Sequence, residues 1–300
     1  MLLYVMESKG SSPGRQGFFM AVNAAGKMQG SIGGGIMEHK FVEMAKAKLK
    51  GNEDEVSVRK QIHDKNALKN QSGMICSGEQ TVLIYKIHPN ESQIVNKIID
   101  CLLQDKNGLI ELSPTGLSFS DANPEMQYQY ISQTEDDWIY REKIGFINHL
   151  HVIGAGHCSL AFCKIMSMLN FYIHLYDDRP DLNTFQENNF ARQKTIITNY
   201  SELESKITGN DESYVVVMTF GYRTDDVAVR ALLGKPFKYF GVLGSKKKIE
   251  RMFTDYVNEG ISEAMLYKIY APVGFPIQSQ TPEEIAVSIA AEIISVKNKQ

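Results

Sequence analysis

Leu150-His151-Val152-Ile153-Gly154-Ala155-Gly156-His157-Cys158-Ser159 is the stretch on which the fold turns. A short apolar run ends in Gly-x-Gly and passes into a helix expected from Cys158 to Leu169, which gathers backbone N–H groups and the positive end of a helix dipole at one point. Gly154 supplies the tight turn and Gly156 lets a phosphate approach the backbone. Ser159 takes the place of the third glycine and is small enough for close helix packing. Asp177 follows Gly154 by 23 residues and ends the next expected strand, Phe171 to Tyr176, where a dinucleotide fold keeps its ribose-binding acid.

Working outward, strands at Tyr214–Thr219 and Tyr239–Leu243 alternate with helices at Asp225–Leu233 and Lys246–Asn258, a pattern that makes a parallel sheet covered by helices. The last helix, Thr281 to Val296, opens on Thr281-Pro282-Glu283-Glu284, with an N-cap threonine, proline at the first helical position and acids in the first turn. Upstream, Phe18–Asn23 and Met28–Ile32 read as a hairpin. Gly33-Gly34-Gly35 leads into an amphipathic helix over Ile36–Lys50, and strands are expected at Glu55–His63 and Thr81–Ile87. A helix over Glu91–Gln104 and short strands among turn residues follow. The expected architecture is α/β: a smaller N-terminal α+β domain over residues 1–90, a bridging region over 91–144, and a C-terminal Rossmann-type parallel sheet over 145–300.

The chain has 300 residues, 43% hydrophobic and 22% charged, the composition of an ordinary globular protein of two domains. Its 35 acidic and 32 basic residues give a formal charge of -3, so no global positive field draws it to nucleic acid or to an anionic membrane. Cys76, Cys101, Cys158 and Cys163 form neither a CxxC pair nor a disulfide framework, which fits a reducing cytoplasm. Met1 to Met6 is too short for a signal peptide or a span and reads as a strand that begins abruptly.

Several residues carry more than one reading. Asp177 and Asp178 could accept ribose hydroxyls of NAD, cap the Arg179-Pro180 loop, or face the paired donor edge of another heterocycle such as a pterin. Gly244-Ser245-Lys246-Lys247-Lys248 is either a second anion site or a solvated helix start. Ser245 caps well, whereas cations at a helix N-terminus oppose the dipole, which hints at a compensating anion. Gly33-Gly34-Gly35 with Glu38 could bring N–H groups to a ligand across an interdomain cleft, or simply connect hairpin to helix through positive φ angles.

Taken together, several blocks resemble the XdhC/CoxI family, the xanthine dehydrogenase accessory factors. They are Gly10-Ser11-Ser12-Pro13, Gly30-Ser31-Ile32-Gly33-Gly34-Gly35 with Glu38, Ile153-Gly154-Ala155-Gly156-His157, Tyr176-Asp177-Asp178-Arg179-Pro180, Gly241-Val242-Leu243-Gly244-Ser245 with Lys248, Ala271-Pro272-Val273-Gly274 and Thr281-Pro282-Glu283-Glu284-Ile285-Ala286. The resemblance implies a protein that binds the molybdenum cofactor (molybdopterin), shields it, assists its sulfuration with a cysteine desulfurase, and hands it to a xanthine dehydrogenase-type apoenzyme, with a homodimer as a possible state. Within that picture His157 could bond the phosphate or the oxo groups of the cofactor, or merely cap its helix. Cys76 could ligate molybdenum or carry a persulfide, or be an inert buried thiol.

The chain departs from the family pattern in four places. Gly14 stands where the family has arginine, with Arg15 one place later. The Cys-Gly-Gly block reads Cys76-Ser77-Gly78. The Thr-His-x-His run reads Thr219-Phe220-Gly221-Tyr222, without either histidine, and the start lacks the family's leading helix. Two rivals to a cofactor carrier are an NAD(P)-dependent oxidoreductase, for which no acid–base pair stands out after the third strand, and a nucleotide-sensing module without chemistry.

Overall fold

The computed structural model of the chain describes residues 1–51, 56–62, 78–124, 126–134 and 136–299. It divides into two compact units, Met1–Gly145 and Phe146–Gln300.

The first unit follows from strands that are apolar on both faces. β1 (Leu2–Gly10) lies between β2 (Phe19–Val22) and a later strand, and β3 (Met28–Gly30) pairs with β2. After α1 (Gly35–Gly51) come β4 (Ser57–Ile62) and β5 (Gly78–Tyr85), completing an antiparallel sheet of order β3-β2-β1-β5-β4. Leu3 and Val5 on one face of β1 pack with Met37, Phe41 and Ala45 of α1. Tyr4 and Met6, on the opposite face by the two-residue period, need a second cover.

That cover is built from α2 (Ser92–Leu103) and an antiparallel sheet of β6 (Gly108–Ser113), β7 (Gly116–Ser120), β8 (Tyr128–Ser132) and β9 (Trp138–Ile144), in the order β7-β6-β9-β8. Leu112, Leu117, Trp138 and Tyr140 of this sheet join Tyr4, Met6, Leu83 and Tyr85 in one buried cluster. Residues 91–144, expected to bridge, are therefore a layer of the first unit, placed there because β1 and β5 have two apolar faces to bury.

The second unit has a parallel sheet of order β12-β11-β10-β13-β14, formed by β10 (Asn148–Ile153), β11 (Phe171–Asp177), β12 (Gln193–Ile196), β13 (Ser213–Val217) and β14 (Tyr239–Val242). Its helices are α3 (His157–Ser167), the short α4 (Asn183–Gln186) and α5 (Leu203–Lys206), α6 (Tyr222–Leu232), α7 (Lys246–Asn258), α8 (Glu263–Leu266) and α9 (Pro282–Lys297). Leu150 and Val152 bury against Phe162 and Met166 of α3 and Ile289 and Ile293 of α9. On the other face, Ile153, Val215 and Val217 bury against Val229 of α6 and Met252 of α7. Burial on both sides explains why β13 and β14 are apolar runs rather than alternating strands. The start of α9 carries the expected cap: Thr281 Oγ1 accepts from Glu284 N at 3.2 Å and Glu284 Oε2 accepts from Thr281 N at 3.3 Å. Among the described residues no helix is long and apolar enough to cross a membrane.

Buried histidines and a buried glutamate titrate in opposite directions. His151 and His174 stack at 4.5 Å on β10 and β11. Burial, and then the neighbouring imidazoles, push His151 down to about 3; burial and His149 push His174 down to about 4. In the first unit Glu142 accepts from the hydroxyls of Tyr4 and Tyr140, and burial, only partly offset by those bonds, pushes it up to about 7. The lowered His151 contributes stability above its unfolded pKa of about 6.5, and this contribution falls toward pH 4 as the unfolded chain takes the proton first. The raised Glu142 contributes stability below about 4.5 that is lost as pH rises through 7. Between pH 7 and 5 the two effects oppose one another in the wild type, so in urea unfolding the stability of His151→Phe relative to wild type should rise on acidification, by up to about 1.4 kcal/mol per pH unit, and that of Glu142→Gln relative to wild type should fall. Parallel pH profiles for wild type and variants would contradict both assignments.

Candidate functional site

In an open parallel sheet of this order the ligand crevice lies outside the carboxyl ends of the strands, where the order reverses between β10 and β13. The turn after β10 occupies that position. Gly154 has φ +104°, and a Cβ there would lie 2.5 Å from the carbonyl oxygen of Met218 and 2.7 Å from Thr219 Cα. The exit of β13 is thus packed directly on the turn, and only glycine fits. Gly156 is a glycine for another reason. It is the N-cap of α3 at φ −73°, contributes no capping side chain, and a Cβ there would meet nothing within 4 Å. Its N–H and that of His157 have no acceptor among the described residues. Open space, free N–H groups and a helix N-terminus together suit an anion.

Asp177 holds this turn in shape. Its side chain is fully buried, and Oδ2 accepts from Ala155 N at 2.7 Å and from an Arg179 Nη at 2.9 Å, while Oδ1 accepts from Arg179 N at 3.0 Å and Nε at 2.8 Å. Burial pushes its pKa up, but the hydrogen bonds and charge of Arg179 and the Ala155 N–H together leave it below the ordinary carboxylate value. With both oxygens engaged twice, Asp177 has no acceptor to offer a ribose or a pterin edge. Of the three uses weighed from the sequence, these contacts are those of the cap on the Arg179 loop. Asp178 accepts from Tyr200 Oη at 3.1 Å and lies 3.7 Å from Arg179 Nε. Beyond Asp177, the Arg179 guanidinium lies 5.4 Å from the ring centroid of Phe220, a residue to which the sequence reading gave no role.

The loop after β13 is fixed by a second buried acid. Asp225 is fully buried and its Oδ1 accepts from Thr219 N at 3.0 Å and Thr219 Oγ1 at 2.6 Å, while Oδ2 takes the Lys248 ammonium. Lys248 also donates to Leu243 O at 3.1 Å, and Ser245 Oγ accepts from Lys248 N at 3.3 Å as the cap of α7. The anion that compensates Lys248 is therefore a carboxylate of the chain itself. A second anion site at Ser245 and Lys248 is not what this arrangement offers. Asp225 escaped the sequence reading because its partner lies 23 residues away and the helix was expected to begin at Asp225, whereas α6 begins at Tyr222.

His157 stands exposed at the first position of α3. Cys158, in the first turn of α3, has its thiol pushed up by burial and then by the charge of Glu283. Cys163 is buried and pushed up to about 11, as an inert core thiol should be. In the first unit Glu38 Oε2 accepts from Ser31 Oγ, Ile32 N and Gly34 N at 2.7–3.0 Å, so it serves its own loop. Gly33, Gly34 and Gly35 have positive φ, and around Gly34 and Gly35 a Cβ would meet nothing. Arg15 donates to Gly10 O at 2.9 Å. Cys76 lies outside the described residues.

Fold and turn together define a Rossmann-type protein with an anion-ready glycine turn at its switch point. Residues 150–293 match the XdhC Rossmann domain and residues 1–59 match the XdhC and CoxI family, and the chain belongs to that family. It is 23% identical over 318 residues to a Bacillus subtilis protein described as a probable subunit of xanthine dehydrogenase, with 100% of this chain and 93% of that protein covered. It is 24% identical over 299 residues to the uncharacterized Escherichia coli protein YqeB, covering 98% of this chain but only 43% of YqeB, so the chain spans less than half of that relative. A crystal structure of a Bacillus halodurans protein described as a xanthine dehydrogenase shares the fold, with a TM-score of 0.74, 23% identity, and coverage of 100% of this chain and 92% of that one.

The two glycines of the turn should respond differently to a methyl group. Gly154→Ala meets the Met218 backbone at an unfavourable φ and should cost more than about 1 kcal/mol in urea unfolding. Gly156→Ala, in open space and at an ordinary φ, should lose only the preference for glycine over alanine at an N-cap, about 1 kcal/mol or less. Equal effects would contradict the division of roles.

Proposed function

We propose that this chain is a maturation factor for a xanthine dehydrogenase-type enzyme. In this reading it binds the molybdenum cofactor, shields it, supports its sulfuration with a cysteine desulfurase, and delivers it to the apoenzyme. The observation that carries the reading is the open turn at Gly156 in a chain of this family: a space that a Cβ would enter without contact, beside N–H groups without acceptors. The phosphate end of the cofactor fits such a turn, with the N–H groups of Gly156 and His157 and the α3 dipole as its binding elements. The bound group would supply the molybdenum redox centre that the client enzyme uses. This chain's own part is to hold the phosphate and keep the Gly154–His157 backbone in register through Asp177. Cys76 is the residue we propose for sulfur or molybdenum.

The NAD(P)-dependent alternative is weakened by Asp177, whose oxygens are already taken by Ala155 and Arg179. Gly156→Asp places a carboxylate in the anion space. By calorimetry, the variant should keep the wild-type melting temperature within a few degrees and lose binding of the molybdenum cofactor at least a hundredfold, about 2.7 kcal/mol, while the wild type binds the cofactor more tightly than NAD. Unchanged cofactor affinity in Gly156→Asp, or tighter NAD binding by the wild type, would overturn the reading.

A further inference from the structure

Phe220 is 80% exposed, although it follows directly on a rigid segment of the protein. Thr219 is pinned through its N–H and its hydroxyl to the buried Asp225, and the Met218–Thr219 backbone is packed against Gly154. The ring is therefore not carried on a loose loop. Arg179 lies over it at 5.4 Å, and Arg179 is itself fixed by two hydrogen bonds to Asp177, which holds Ala155 of the glycine turn. Ala155, Asp177, Arg179 and Phe220 thus form one continuous chain of contacts from the anion-ready turn to an open aromatic ring. Nε and one Nη of Arg179 are spent on Asp177, while the other Nη has no acceptor among the described residues.

An aromatic ring held in place with most of its surface in water, next to a guanidinium with an unused donor, is poorly explained by folding, since burying the ring would stabilise the protein and exposing it does not. Its sequence neighbours are Thr219 and Gly221, and the cationic guanidinium of Arg179 lies over its face. Rings and guanidinium planes exposed in this way take flat heterocycles by stacking.

We infer that Phe220, backed by Arg179, is the stacking platform for the flat heterocycle of the ligand whose phosphate the glycine turn holds. This rests on the reading of Gly154–His157 as a phosphate site and adds the ligand class: a phosphate ester of a planar heteroaromatic ring, whether nucleobase or pterin. The free Nη of Arg179, on the side of the glycine turn that Asp177 braces, donates to the phosphate. Because Asp177 is occupied, the heterocycle is recognised by its face and not by a carboxylate at its edge.

The test titrates the full-length chain with 5′-CMP, 5′-GMP and dihydroneopterin phosphate, and with ribose 5-phosphate as the probe without a heterocycle. Wild type should prefer at least one heterocyclic ester over ribose 5-phosphate by about tenfold or more, the ratio expected when a base stacks. Phe220→Ala should bring that ester down to the ribose 5-phosphate level and leave ribose 5-phosphate itself unchanged. Phe220→Trp should retain the preference and show quenching of its indole fluorescence on ligand addition, read against the single native Trp138. Whether the loss falls on the nucleotides or on the pterin ester tells which ring the platform takes. Unchanged heterocycle preference in Phe220→Ala, with binding still abolished by Gly156→Asp, would overturn the platform and leave the phosphate site standing. Binding of no phosphate ester by the wild type would overturn both.

Discussion

The carboxylate of Asp177 accepts four hydrogen bonds in a fully buried position, and the geometry of the candidate site depends on it. Its partners come from two places: Ala155 N, inside the glycine turn after β10, and the backbone and guanidinium of Arg179, in the turn after β11. A buried carboxylate is tolerable only when paired and fully hydrogen-bonded, and removing one partner of such a pair typically costs about 3–5 kcal/mol. The interaction therefore ties two strand exits together, so that the turn keeps its N–H groups free and Arg179 is held at a fixed point beside Phe220.

Asp225 plays the same part on the other side of the switch point. It joins the exit of β13 through Thr219 to the exit of β14 through Lys248 and Leu243. The two acids differ in kind from the many ion pairs at the surface, such as Lys246 with Glu250, which solvent and salt screen to little net effect. Among the groups at this edge of the sheet with no acceptor among the described residues are the N–H groups of Gly156 and His157 and one Nη of Arg179, beside the exposed ring of Phe220. On the proposed reading these are the groups that meet the ligand, combining anion recognition with a flat apolar surface.

Much of this was legible in the sequence because strands buried on both faces are written as uninterrupted apolar runs. Tyr214–Thr219 and Tyr239–Leu243 identify themselves in that way, Leu150–Ile153 and Phe171–Tyr176 nearly so with one histidine each, and Thr281-Pro282-Glu283-Glu284 marks its helix start through local capping chemistry. The edge strand Gln193–Ile196 did not show, since it is four residues long, mostly exposed and paired on one side only. Residues 91–144 read as a bridge because their strands are short and half exposed, and their role as a cover appears only once β1 is seen to have two apolar faces. In the site, the turn was legible because its glycines act locally. The engagement of Asp177, Glu38 and Lys248 by the chain's own groups was not, because a carboxylate or an ammonium in a sequence carries no sign of whether the fold will spend it internally. Phe220 was hidden for the same reason: exposure of an apolar residue is a property of the fold.

That the Gly154–His157 turn, braced by Asp177, receives the phosphate of the molybdenum cofactor is tested most directly by a crystal structure of the chain purified from a host that makes the cofactor. Cofactor density is expected with its phosphate oxygens within hydrogen-bond distance, about 2.7–3.2 Å, of the Gly156 and His157 nitrogens, and with the Asp177 bonds to Ala155 and Arg179 intact. Cofactor bound with its phosphate elsewhere, or a dinucleotide whose ribose has displaced Arg179 from Asp177, would contradict it.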